Sequence, residues 1–143
     1  MSIKLKLDGF DELLKEIEKA SGNIDSATKK CMEKGANILQ DEMKSKMQNA
    51  GVDSGLISRM PSAEIESDFG RFTARVGYKK GEYNPKNPSD GYKAVFLNYG
   101  TPRRKKHGQV KARGFISRAK SAARQKIKNE QEKTLKEILR GLQ

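Results

Sequence analysis

The amino-acid pattern predicts an α+β fold in which N-terminal helices and a long C-terminal helix pack on a small, mainly antiparallel sheet. Three observations lead there. Apolar residues recur at helical spacing over two long stretches, Ile24 to Met47 and Phe115 to Leu142. Phe72, Ala74, Val76 and Tyr78 alternate with Arg71, Thr73, Arg75 and Gly77, the pattern of a strand with one wet face. At 143 residues the chain can bury one core and is short for two domains of ordinary size, so 1–143 is expected to be a single domain.

In chain order, Ile3, Leu5 and Leu7 alternate with Lys4 and Lys6, as in a short edge strand. Asp8 offers an N-cap to a first helix whose Phe10, Leu13, Leu14 and Ile17 share a face and which runs to about Ala20. After Ser21-Gly22, Asn23 can cap a longer helix with Ile24, Ala27, Cys31, Ile38, Leu39, Met43 and Met47 on its apolar stripe, ending near Ala50-Gly51. Val52-Asp53-Ser54-Gly55 reads as a turn and the start of a loop. Ala63 and Ile65 then suggest a strand, joined to the 71–78 strand through a hairpin turn at Asp68-Phe69-Gly70.

Residues 79–91, with Pro85, Pro88, Asn84, Asn87 and Asp90, read as an exposed loop. Tyr92 to Tyr99 is apolar at both parities and is expected to be a central strand, with a short buried helix as the alternative that period alone leaves open. The last helix starts at Phe115 and carries Ile116, Ala119, Ala123, Ile127, Leu135, Ile138 and Leu142 on one stripe. Its far end, 128–143, has a thin apolar seam and is expected either to extend beyond the globule or to dock on a neighbouring subunit.

The formal charge is +12, and residues 101–143 hold 14 basic against three acidic side chains. A field so concentrated attracts phosphate backbones, anionic membranes or acidic protein faces. Apolar content is 34% and charged content also 34%, which suits a chain that buries part of its surface only on assembly. Cys31 is the only cysteine, so no internal disulfide forms and a reducing compartment is expected; on the apolar stripe it reads as a small core residue. The N-terminus lacks the unbroken apolar run of a signal peptide or membrane span, which predicts a soluble protein made in the cytoplasm.

Catalytic chemistry finds little purchase. The only histidine, His107, lies in a basic loop where flanking cations disfavour its protonated form, and no nucleophile and base are paired by sequence. One His, one Cys and scattered carboxylates give no metal-ligand spacing, no cofactor motif appears, and Asp68-Phe69-Gly70 lacks every other element of a kinase. Arg103, Arg104, Lys105 and Lys106, with Lys111 and Arg113 beyond them, are candidates for contact with DNA or an acidic partner, though no aromatics interleave with them for base stacking.

The order of motifs is more informative: Gly9-Phe10 with Leu13-Leu14, a long helix, Val52-Asp53-Ser54-Gly55-Leu56, Val76-Gly77, Tyr92, Ala94, Phe96, Tyr99-Gly100-Thr101, and then Ala112-Arg113 with Phe115 and Ala119. This series resembles, over most of the chain, the small neck and tail-component proteins of long-tailed bacteriophages, which act at the head-to-tail junction. Two positions depart from the family pattern. Asn98 stands where an acidic residue is usual, and Gly114 where a proline is frequent.

The resemblance implies a non-enzymatic virion component of a phage or prophage, acting in head–tail joining or tail completion. Its copies would form a homo-oligomeric ring that meets adjoining connector and tail proteins, with packaged DNA in the channel as a further partner and with neither membrane nor cofactor. It implies a place in the virion, and in the host cytoplasm during assembly. In such a part Gly100 can take positive φ, Thr101 can bond the turning backbone, and Phe115 can anchor the last helix, so that the basic loop starts and ends on rigid supports. Two other classes remain open: a sequence-non-specific nucleic-acid-binding protein, suggested by the +11 segment, and a small basic ribonuclease of the toxin type, which a single histidine without paired carboxylates disfavours.

Overall fold

Two long helices form the backbone of the molecule, and the small sheet lies against one of them. The computed structural model describes residues 2–7, 9–68, 71–79, 81, 83–101 and 109–143. Their elements are β1 (Ser2–Leu5), α1 (Asp11–Lys19), α2 (Ile24–Asn49), α3 (Ser54–Ser58), β2 (Glu64–Asp68), β3 (Arg71–Gly77), α4 (Asp90–Tyr99) and α5 (Phe115–Leu142). The α+β expectation holds, with a wholly antiparallel three-stranded sheet in the order β1-β3-β2.

The expected strands pair in a register that puts apolar residues on one face. Ile3 lies opposite Val76, and Ala74 has Leu5 on one side and Ile65 on the other, all turned toward the core. The opposite face holds the row Lys4, Arg75, Glu64. Asp68 pairs with Arg71, closing the β2–β3 ladder where a hairpin was expected; Phe69 and Gly70 of that turn lie outside the described residues.

The Asn23 cap is as read: its Oδ1 accepts from Ser26 N at 3.0 Å. Met32, Met43 and Met47 of α2 are fully buried in the main core with Ala74, Val76 and Ile127, where unbranched side chains fill irregular space between sheet and helices. At the α2–α5 crossing a Cβ on Gly35 would stand 2.9 Å from Gln131 Nε2 and 3.0 Å from Leu5, so this glycine permits the close approach. Cys31 donates to Gln131 O at 3.7 Å and Gln131 Nε2 donates to Cys31 O at 3.4 Å. Burial pushes the Cys31 thiol up to about 11, so it is an inert core group, as expected.

Four expectations are corrected. The N-cap position of α1 is Phe10, not Asp8, and it makes no side-chain cap bond; Asp8 itself lies outside the described residues. Asp53-Ser54-Gly55 is the start of a helix and not only a turn: Asp53 Oδ2 accepts from Leu56 N at 3.3 Å and caps α3. Residues 92–99 belong to helix α4 and not to a central strand. The helix turns Gly91, Ala94 and Asn98 inward at helical spacing, with Tyr92 and Phe96 packed together on its flank. Finally, the far end of α5 packs on its own chain: Leu135, Ile138 and Leu139 join Ile17, Leu13, Leu14 and Cys31 in a second core cluster. The short apolar stripe of α1 is what covers the thin seam.

Candidate assembly surface

α4 and the segment 109–114 meet at the place where the sequence put its candidate structural motif. A helix leaves its last carbonyls without internal donors. Here Arg113 N donates to Leu97 O at 2.9 Å and Gly114 N to Asn98 O at 3.1 Å, so the strand of chain entering α5 closes the end of α4. Gly100 ends the helix at φ 78 and ψ 175, a backbone region open essentially to glycine alone, and a Cβ there would stand 2.8 Å from both Ala112 N and Val110 O. The positive φ expected at Gly100 is present, at a helix end and not a strand end.

Thr101 then pairs with Val110, nine residues further along the chain. Its N–H donates to Val110 O at 2.8 Å, and its Oγ1 accepts from Val110 N at 3.0 Å. Phe115, fully buried, seats the start of α5 in the main core. Arg103, Arg104, Lys105, Lys106 and His107 lie outside the described residues. Lys111 is exposed. Arg113 is engaged within the chain, its Nη1 donating to Ala50 O at 3.3 Å and Gly51 O at 3.1 Å, where a cation also complements the negative end of α2.

Asn98 and Gly114 sit against one another. Asn98 is buried, and its Oδ1 accepts from Ile116 N at 3.0 Å, acting as the cap that Gly114 has no side chain to provide. Gly114 has φ 57, which proline cannot adopt, and its N–H, which proline lacks, is the donor to Asn98 O. Asn98→Ala is therefore expected to cost about 1–2 kcal/mol by leaving a buried helix-end N–H unpaired, measurable as a lower urea midpoint with unchanged m value.

At its other end α4 is tied to α3. Arg59 makes two bonds to the Asp90 carboxylate, Nε to Oδ2 at 3.0 Å and Nη2 to Oδ1 at 3.1 Å, and Asp53 adds to the field around the guanidinium. The hydrogen bond from Arg59 chiefly holds the Asp90 carboxyl below its usual value, and the same bond raises Arg59. For a carboxylate with a depressed folded pKa, stability is present above the unfolded value near 4 and is lost as pH falls through the folded one. Asp90→Asn is thus expected to flatten the stability-versus-pH curve below about pH 4, by under about 1 kcal/mol because the pair is exposed. Thermal melts at several pH values check this.

One feature was missed in the sequence. Tyr92, Phe96 and Tyr99 fall at i, i+4 and i+7 on α4, and Tyr83 packs edge-on to Tyr92 and Phe96 with ring centroids 5.2 and 6.4 Å away. Tyr99 is 68% exposed and Tyr83 54%. The spacing was legible once the run is taken as a helix. The result is an aromatic face beside the base of the basic loop.

These elements coincide with a known pattern. Residues 11–100 match the family described as "Bacteriophage HK97-gp10, putative tail-component". The chain belongs to this phage tail-component family. The matched stretch runs from the first residue of α1 to Gly100, so it includes Asp53-Ser54-Gly55 and Tyr99-Gly100, while Thr101, the basic loop and α5 follow it. No curated protein and no solved structure matches the chain significantly. Among the described residues no group of three or more His, Cys, Asp or Glu could hold a metal ion, and no helix is long and apolar enough to cross a membrane.

Proposed function

We propose that the protein is a non-enzymatic structural component of a phage or prophage virion, acting in the neck or tail at head–tail joining or tail completion, where copies assemble as a ring. Family membership supplies the tail component. The observation that supports joining is the Thr101–Val110 pair, which with buried Phe115 fixes the two ends of the basic segment 102–109 next to the aromatic face of α4 and the start of α5. Aromatic side chains on a rigid helix suit the centre of a protein interface. Loop residues Arg103 to Lys106 and Lys111 then meet acidic faces of adjoining connector and tail proteins, or packaged DNA in the channel. The protein resides in the virion, and in the host cytoplasm during assembly.

Electron microscopy of lysates from a host whose copy of the gene is disrupted tests this. Full heads beside free tails, restored to joined particles by the intact gene, are expected; normal virions would overturn it. A second reading is carried by charge: Arg118, Lys120, Arg124, Lys126, Lys128, Lys133 and Lys136 are all exposed along α5, which suits sequence-non-specific nucleic-acid binding. That reading requires affinity that falls steeply with salt and little with sequence.

A further inference from the structure

The sheet has two free edges of opposite charge. β1 and β2 each pair with β3 on one side only, and neither has a second strand partner among the described residues. On the outward face, the β1 side carries Lys4, followed by Lys6, and the β2 side carries Glu64, Glu66 and Asp68, all exposed. Beyond the free edge of β1 lies a groove of about 240 Å³ between this strand and α5. Leu39 and Ile127 form its floor, and Lys120, Arg124 and Lys128 form its far wall. No acidic residue lines it.

We propose that the acidic edge strand β2 of one copy adds to the basic edge strand β1 of the next, so that the sheet continues from subunit to subunit. The inference rests on the ring assembly proposed above and names the surface that builds it. An unpaired edge presents a row of backbone donors and acceptors that templates another strand, and here both edges belong to the same short sheet. Joining two different patches head to tail is the heterologous contact that closes rings.

Strand sense is compatible. β1 and β2 are both antiparallel to β3 and hence parallel to each other, and rotation about a ring axis preserves that sense, so β2 meets the next β1 in parallel. Side-chain alternation selects the register: with Glu64 and Glu66 beside Lys4 and Lys6 on the outward face, Ile65 turns toward Leu39 and Ile127, and a one-residue slip reverses both. The cations on α5 lie in the same field and favour an acidic strand over a neutral one. Glu64 and Glu66 now pair with Lys79 at 2.8 Å and Arg75 at 3.4 Å, both exposed contacts of the kind that exchange at little cost.

Charge reversal in the full chain tests the pairing. Lys4→Glu/Lys6→Glu makes both edges acidic, and Glu64→Lys/Glu66→Lys makes both basic. Each is expected to weaken self-association in concentrated solution by about tenfold or more, and an equimolar mixture of the two to restore it, because every junction then joins opposite charges. Circular dichroism and the melting temperature of each variant report folding separately, and rescue by mixing is a result that misfolding does not give. A Lys4→Cys/Glu64→Cys chain, which puts the two thiols directly opposite in this register, oxidised within phage-producing cells, is expected to give a ladder of linked copies that neither single variant gives. Association unchanged by either reversal, or virions that carry the double-cysteine chain without a ladder, would overturn edge pairing and leave the tail role standing. A chain absent from virions and unlinked in cells would overturn both.

Discussion

Gly100→Ala is expected to destabilise the protein by about 3 kcal/mol, far beyond what one methyl group does at a solvated turn. Two costs combine. The φ of 78 with ψ of 175 is a region that an L side chain occupies at a cost of about 1–3 kcal/mol. The added Cβ would also stand 2.8 Å from Val110 O and Ala112 N, both backbone atoms that cannot rotate away, and relieving such overlap costs typically about 1–3 kcal/mol more. Gly51→Ala separates the two. Gly51 has φ 74 and no atom within 4 Å of the added Cβ, so only the backbone term of about 1 kcal/mol applies. Equal losses at the two positions would show that the 109–112 segment yields freely and does not clamp the loop base. A larger loss at Gly100, with faster proteolytic nicking between residues 101 and 110, is the expected result.

That clamp also marks where sequence reasoning reached and where it stopped. Helices α2 and α5 were legible because their stripes persist over many turns, and β2 and β3 because alternation is a strong signal when one sheet face is wet. α4 was not, since eight residues apolar at both parities satisfy either period; only the inward set Gly91, Ala94 and Asn98 reveals the helix, and a glycine and an asparagine do not look like core. α3 has five residues, fewer than any periodic window, and its Asp53 cap reads equally well as a turn former. Gln131 and Thr134 are buried within the α5 stripe, where composition would place them on the wet face; Gln131 bonds Cys31 O and Thr134 bonds Glu130 O, and those partners are visible only in three dimensions.

The candidate surface followed the same division. Gly100, Thr101 and Phe115 were readable because each solves a local problem: a positive φ, a turning backbone, a helix anchor. Arg113 was grouped with the loop cations because a charge run does not say where each guanidinium goes, and the end of α2, 62 residues away in sequence, takes it. The aromatic face on α4 and the opposed charges of the two sheet edges depend on helix phase and strand order, neither of which is contained in a linear charge count.

Phe115→Ala should produce the largest loss of all. The side chain is fully buried in the main core, and removing a buried phenylalanine costs about 3–5 kcal/mol through lost transfer energy and the cavity left behind. At about 3 °C per kcal/mol for a chain of this size, the melting temperature should fall by about 10–15 °C. Phe115→Leu, which keeps much of the volume, should cost under about 2 kcal/mol. The position carries more than packing. Phe115 is the first residue of α5, directly after the Arg113 and Gly114 N–H groups that close α4 and next to the Ile116 N–H that Asn98 caps. When the ring is lost the first turn of α5 loosens, and with it both supports of the loop base. Hydrogen exchange should therefore show Thr101, Val110, Arg113 and Ile116 losing protection together in Phe115→Ala, while amides in the α1–α5 cluster around Ile17 and Leu135 open only with global unfolding. Uniform loss of protection at both ends of α5 would mean that the helix is one cooperative unit and that the loop base has no separate anchor.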